Sequence, residues 1–124
     1  MPLLALVADD HLPSLELARY LLEFAGFEVV CAKDGEDALA LVATRPPNVI
    51  VVDLDLPGVN GCQVRDRLAA DPLWSQIPIV VVSSHEISDF SPDHGPGDFA
   101  DYLRKPVEPA TFADQVRAAI VSRD

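Results

Sequence analysis

The chain has 124 residues, about half of them apolar, which predicts a single domain with one core over residues 1–124. Twenty acidic residues against nine basic ones give a formal net charge of −11. This balance argues against binding to nucleic acid or to an anionic membrane surface, because both require clustered Lys and Arg.

Neither a membrane span nor a signal peptide is expected. No apolar run approaches the roughly 20 residues that cross a bilayer. The opening MPLLALVADD lacks a basic start, and we interpret it as a buried strand. Cys31 and Cys62 have neither paired spacing nor a nearby His cluster, which indicates structural free thiols. Free thiols are typical of cytosolic proteins, so we expect a cytoplasmic location.

The first half of the chain predicts two strands and two helices. Residues 3–8 are apolar and too few for a helix, which is typical of a strand buried on both faces. Apolar residues at spacings of three and four, from Leu15 to Ala25, then predict a helix that has Pro13 in its first turn and that Gly26 ends. A second strand is expected over residues 28–32. An aspartate then caps a helix over residues 34–44, which two prolines follow.

The second half predicts three further strands. Residues 48–53 contain four consecutive β-branched residues and indicate the clearest strand of the chain. A turn-rich stretch and a helix over residues 62–70 follow. Two more strands are expected over residues 79–83 and 101–104, and Pro109 is predicted to open the last helix.

Five strands that alternate with about five helices predict an α/β fold, a parallel sheet with helices on both faces. Ligands of such sheets bind beyond the carboxyl ends of the strands. Polar side chains stand there after four of the predicted strands: Asp9 and Asp10, Asp53, Ser83 and Ser84, and Lys105, which Pro106 follows. Because these ends meet at one edge of the sheet, we expect the side chains to converge.

The converging residues predict a site for metal-assisted phosphoryl transfer. Adjacent carboxylates repel one another, and a hard divalent cation such as Mg²⁺ removes that cost while keeping several waters. Asp10 and Asp53 can bind the ion directly, and Asp9 through water. Asp53 is the candidate nucleophile, while the Lys105 ammonium and the Ser83 hydroxyl neutralise charge on the transferring oxygens.

The segments VADD, VVDLDLPGVNG, IVVVSS and YLRKP resemble the receiver domains of two-component response regulators in order and spacing. The resemblance covers essentially the whole chain and implies a doubly wound, flavodoxin-like sheet in the order 2-1-3-4-5. It implies that Asp53 is the phosphoacceptor. It also implies that Mg²⁺, for which Mn²⁺ can substitute, is bound by Asp9, Asp10, Asp53 and the backbone carbonyl of Asp55.

The same resemblance assigns further roles and partners. Lys105 would contact the phosphate, the bond to Pro106 would be cis, and Ser83 and Tyr102 would be the switch residues. A histidine kinase or histidine phosphotransfer protein would donate the phosphoryl group. The domain would catalyse its own phosphorylation and dephosphorylation without being a classical enzyme. It would control a downstream protein or output domain through its fourth helix, fifth strand and fifth helix, with homodimerisation left open.

Two alternatives remain. Asp53-Leu54-Asp55 after an apolar strand also resembles the DxD element of haloacid-dehalogenase-like phosphatases. In that family the other acidic residues follow the nucleophile, whereas here they precede it, and too few residues follow Asp53 for the rest of such a core. The second alternative is an interaction module that keeps the fold and is not phosphorylated. The complete set of site residues argues against it.

One segment departs from the family pattern. SPDHGPG, residues 91–97, holds two prolines and two glycines where the family has its fourth helix. Proline costs about 3 kcal/mol and glycine about 1 kcal/mol inside a helix. We therefore expect residues 86–98 to form a short helical turn and an irregular loop with the lowest hydrogen-exchange protection of the domain. His85 is expected in a loop, and His11 and His94 at the surface.

Overall fold

The computed structural model describes residues 2–121, which form one parallel sheet with four helices. The strands are β1 (Leu4–Ala8), β2 (Glu28–Ala32), β3 (Val49–Val52), β4 (Ile79–Ser83) and β5 (Asp101–Arg104). The helices are α1 (Leu12–Phe24), α2 (Gly35–Thr44), α3 (Gly61–Ala69) and α4 (Phe112–Val121). The strand order is β2-β1-β3-β4-β5, which confirms the predicted fold class. None of the helices described is long and apolar enough to cross a membrane.

The three central strands are buried along their whole length. Each residue of β1, β3 and β4 is buried, because helices cover both faces of the sheet. One apolar cluster joins one face of the sheet to α2 and α3, with Leu6, Ile50 and Leu68 among its members. The other joins the opposite face to α1 and α4, and Phe112 is fully buried in it. Each such side chain contributes about 1.5–3 kcal/mol of burial free energy.

A side-chain cap fixes the start of α2. The Asp34 side chain accepts a hydrogen bond of 2.7 Å from the Asp37 backbone N–H, which confirms the predicted cap of α2. The last helix differs from the prediction, since α4 begins at Phe112 instead of at Pro109. The residues between them form a turn in which the backbone N–H groups of Thr111 and Phe112 both donate to the Glu108 carbonyl.

Residues 86–98, which we call the strap, contain no α-helix. Two single 3-10 turns, Ile87–Asp89 and Pro96–Asp98, flank an irregular stretch. The described chain therefore has four helices where about five were expected. The predicted first turn and the absence of a regular helix are confirmed, but the segment expected to be an irregular loop ends in a second 3-10 turn. The prediction that His94 lies at the surface is wrong. Its side chain is only 12% exposed, because it is hydrogen-bonded between the strap and α3.

Candidate functional site

The three predicted carboxylates converge at the carboxyl edge of the sheet. Strands β1 and β3 are neighbours in register, and the Asp53 backbone N–H donates to the Ala8 carbonyl at 3.0 Å. This pairing places Asp53 beside Asp9. Asp9, Asp10 and Asp53 each offer a carboxylate oxygen, and these oxygens all lie within 4.8 Å of one another.

Lys105 bridges the two buried carboxylates. Its Nζ lies 2.7 Å from Asp9 Oδ2 and 2.8 Å from Asp53 Oδ2. The two carboxylate side chains are 7% and 9% exposed and the lysine is 15% exposed. The ammonium thus compensates two charges that would otherwise be desolvated without a partner.

Burial and pairing act in opposite directions on these groups. Burial raises the pKa of the Asp9 carboxyl, and the hydrogen bond from Lys105 offsets that effect only in part. Burial acts to lower the pKa of the Lys105 ammonium. Its hydrogen bonds to Asp53 and Asp9 outweigh that effect, and the pKa of Lys105 is raised. Lys105 is therefore a permanent positive charge at neutral pH.

Backbone N–H groups hold the second oxygen of each buried carboxylate. Asp53 Oδ1 accepts from the Asp55 backbone N–H at 3.2 Å, and Asp9 Oδ1 accepts from the His11 backbone N–H at 2.9 Å. Asp10 is exposed. The loop after β3 can turn tightly because Gly58 has φ +72° and because Gly61 approaches the Asp53 carbonyl closely. A Cβ at Gly61 would lie 2.9 Å from that oxygen.

Ser83 lies at the end of β4, beside Lys105. The Lys105 backbone N–H donates to the Ser83 carbonyl at 3.0 Å. The Ser83 side chain is fully buried, and its Oγ accepts from the His85 backbone N–H at 3.1 Å. Ser84, in contrast, lines the cavity above the carboxylates. Ser83 is thus close to the site but covered.

Tyr102 joins β5 to the loop that follows Ser83. Its hydroxyl donates a hydrogen bond to the His85 carbonyl. Next to this contact, Arg104 Nη1 lies 2.6 Å from Glu86 Oε1. The Lys105–Pro106 peptide bond is cis.

A cavity of about 550 Å³ opens above the carboxylates. Asp9, Asp10, Asp53 and Lys105 line it, and so do Asp55 and His85. The His85 Nε2 lies 3.9 Å from Asp55 Oδ2, and both side chains are about half or more exposed. Neither Ser83 nor Tyr102 is among the lining residues.

The sheet is doubly wound, and the cavity at its carboxyl edge is acidic and contains a lysine. Domains of this class can bind a divalent cation and a phosphoryl group at that edge. The chain belongs to the response regulator receiver domain family, whose model matches residues 5–117. It is a receiver domain of the two-component type, and nothing in the comparisons favours the phosphatase or the non-phosphorylated interaction module.

Relatives of known name support this assignment. The chain is 30% identical over 115 residues to the phosphate regulon transcriptional regulatory protein PhoB of Pseudomonas aeruginosa, covering 93% of this chain and 50% of PhoB. It is also 30% identical over 115 residues to protein PilH of the same organism, covering 93% of this chain and 95% of PilH. The crystal structure of a putative response regulator from Chloroflexus aurantiacus superposes with a TM-score of 0.85 at 29% identity, covering 98% of this chain and 99% of that one. The chain thus spans half the length of PhoB and nearly all of PilH.

Proposed function

We propose that Asp53 accepts a phosphoryl group from a phosphohistidine of a histidine kinase or histidine phosphotransfer protein. The observation that carries the proposal is the Asp53 carboxylate, which lines the cavity and is held there by the Lys105 ammonium and the Asp55 backbone N–H. One oxygen of Asp53 attacks phosphorus while the P–N bond breaks. The bonding electron pair leaves with the donor imidazole, which keeps or takes up a proton.

Lys105 has two roles in this proposal. In the unphosphorylated domain it pairs with both Asp9 and Asp53 and offsets one of their two negative charges. During transfer the same ammonium is within reach of the phosphoryl oxygens, where it stabilises their negative charge. The Ser83 hydroxyl can donate to a phosphoryl oxygen once its side chain turns from its covered position. With these groups the domain would catalyse its own phosphorylation and dephosphorylation.

The carboxylates fit a divalent cation. Asp9, Asp10 and Asp53 supply three hard oxygen donors within 4.8 Å of one another, and a cation removes the repulsion among them. We propose that these residues and the Asp55 backbone carbonyl hold Mg²⁺, or Mn²⁺ in its place. When bound, the ion supplies positive charge next to the transferring oxygens.

The output side of the proposal concerns Ser83 and Tyr102. Movement of Ser83 toward the phosphate would disturb the loop that Tyr102 holds through the His85 carbonyl. We propose that this change alters the face formed by the strap, β5 and α4, to which a downstream protein, an output domain or a second copy binds. We also propose that the 124 residues act as one domain in the cytoplasm, where free thiols such as those of this chain persist.

Labelling with a small phosphodonor tests the acceptor. Acetyl phosphate with magnesium should add one hydroxylamine-labile phosphoryl group to the wild type and none to Asp53→Asn, as measured by intact mass. Asp114→Asn is the matched control, since Asp114 is an exposed aspartate on α4, and it should be labelled like the wild type. Wild-type labelling of Asp53→Asn would refute the assignment. A folded wild type that is never labelled would favour the interaction module.

A further inference from the structure

The strap is tied to α3 by side chains instead of by a regular backbone ladder. His94 is the centre of the first tie. Its Nε2 lies 2.7 Å from Asp66 Oδ1 on α3, and its Nδ1 lies 2.6 Å from Ser91 Oγ within the strap. His94 thus joins the strap to itself and to the helix that follows the phosphoacceptor loop.

A second tie lies one residue away on α3. Arg65 Nε donates to the Asp98 carbonyl at 3.2 Å, and Arg65 Nη2 lies 3.7 Å from Asp98 Oδ1. Arg65 Nη1 also donates to Asp66 Oδ1 at 3.1 Å. The two ties share the Asp66 carboxylate, so they form one connected cluster. We call Arg65, Asp66, His94 and Asp98 the latch.

The latch keeps its hydrogen bonds in either protonation state of His94. A neutral imidazole with its proton on Nε2 donates to Asp66 and accepts from the Ser91 hydroxyl. An imidazolium donates to both. Burial opposes ionisation of Asp66, but the hydrogen bonds from His94 and Arg65 outweigh it and lower the pKa of the Asp66 carboxyl. The latch therefore contains a carboxylate across the neutral range, to which both ties are charge-assisted.

Apolar side chains of the strap and of the adjoining Phe99 pack into the core. Ile87 and Phe99 are buried in the same cluster as Cys62, and Phe90 packs against that cluster. The Cys62 side chain is only 1% exposed, and its thiol lies close enough to Asp66 and Asp98 to be influenced by their charges. The strap thus covers part of the core, and its backbone hydrogen bonds are local turns instead of a regular ladder.

We propose that the strap is a separately opening cover, held closed by the latch, and that its opening withdraws Ile87 from the core and exposes Cys62 and Phe99 while the sheet stays folded. Segments with few regular backbone hydrogen bonds open locally at a lower free energy than the whole domain. The strap begins three residues after Ser83 and the latch holds α3, which follows the Asp53 loop. The strap is therefore linked to the edge of the sheet that carries Asp53 in two ways, through the chain that follows Ser83 and through the latch to α3. The strap opens in this way whether or not Asp53 is phosphorylated.

Thiol labelling measures this opening directly. In a Cys31→Ser background, Cys62 is the only thiol, and its rate of reaction with a chromogenic disulfide reports exposure. His94→Ala should raise that rate roughly tenfold, the factor for losing a hydrogen bond to a partly exposed charged group. Asp66→Asn should have an intermediate effect. Glu36→Gln is the matched control, because Glu36 pairs with Arg67 on an exposed part of α3, and it should change the rate less than twofold.

Urea separates local from global opening. If the strap opens alone, the Cys62 rate at low urea should depend on urea far more weakly than global unfolding does, because little surface is exposed. A rate that follows global unfolding at every urea concentration would overturn the proposal, as would His94→Ala behaving like Glu36→Gln. Should His94→Ala fail to fold, Ser91→Ala removes only the bond within the strap and should still raise the rate severalfold.

Discussion

Replacing Lys105 by Met tests whether one ammonium holds the site together. The substitution keeps the apolar stem and removes the charge that lies 2.7 Å and 2.8 Å from two carboxylates. Breaking a buried ion pair costs about 3–5 kcal/mol, since the remaining charge is left without compensation. The three side chains keep 7–15% exposure, so we expect the lower end, about 3 kcal/mol. This is a large share of the roughly 5–15 kcal/mol that stabilises a domain.

Urea unfolding at neutral pH with a chelator gives the measurement. With a slope of about 1.5 kcal/mol per molar, the midpoint of Lys105→Met should fall by about 2 M. Lys33 is the only other lysine of the chain and is exposed, so Lys33→Met is the matched control and should change the midpoint little. Magnesium should then restore more stability to Lys105→Met than to the wild type, because the cation no longer competes with an ammonium. Equal costs for the two lysine variants would refute the reasoning.

Three further results are expected. Magnesium should shift amide resonances of the three carboxylate residues in a saturable way, and Asp10→Asn should weaken the binding; shifts that are unchanged in this variant would show a misassigned site. Gly35→Ala should lower the urea midpoint markedly, because the new Cβ would lie 2.0 Å from the backbone oxygen of Val59. The pKa of the Asp66 carboxyl is lowered, in part by the hydrogen bond from His94. The ionised carboxylate therefore stabilises the folded state at pH values above its ordinary pKa of 3.8. That contribution should be lost as the pH falls through the lowered value, so the midpoints of wild type and Asp66→Asn should converge at acidic pH.

Runs of β-branched and apolar residues correctly predict the central strands of the sheet. Four β-branched residues in a row formed β3, and the apolar run before Asp9 formed β1. Parallel topology then brought Asp9 and Asp53 together, because side chains after neighbouring strands share one edge. The prediction that the last helix starts at Pro109 is wrong, because a proline fits the first turn of a helix but residues 108–111 form a separate turn before α4.

Contacts between an irregular segment and a distant element were not predictable in this way. His94 and Asp66 are 28 residues apart, and Arg65 and Asp98 are 33 apart. The sequence of the strap has no apolar periodicity that would show which of its side chains point toward the core. Its proline and glycine content correctly excluded a regular helix, but composition does not show which side chains hold a segment in place. The polar neighbours of His94 in the sequence therefore predict a surface position, whereas its side chain is largely buried.

The charges at the cavity explain why stability and phosphorylation should depend on the cation to different extents. The three clustered carboxylates, Asp9, Asp10 and Asp53, together with the Lys105 ammonium carry two negative charges in excess. Lys105 pairs with both buried carboxylates, and Asp10 is exposed to water, so the fold tolerates this excess. A phosphoryl group on Asp53 replaces one negative charge by about two, and these lie on oxygens close to Asp9 and Asp10. Lys105 alone cannot balance that addition, whereas an ammonium together with a divalent cation nearly does. Metal removal should therefore lower the extent of phosphorylation far more than it lowers the urea midpoint of the unphosphorylated domain.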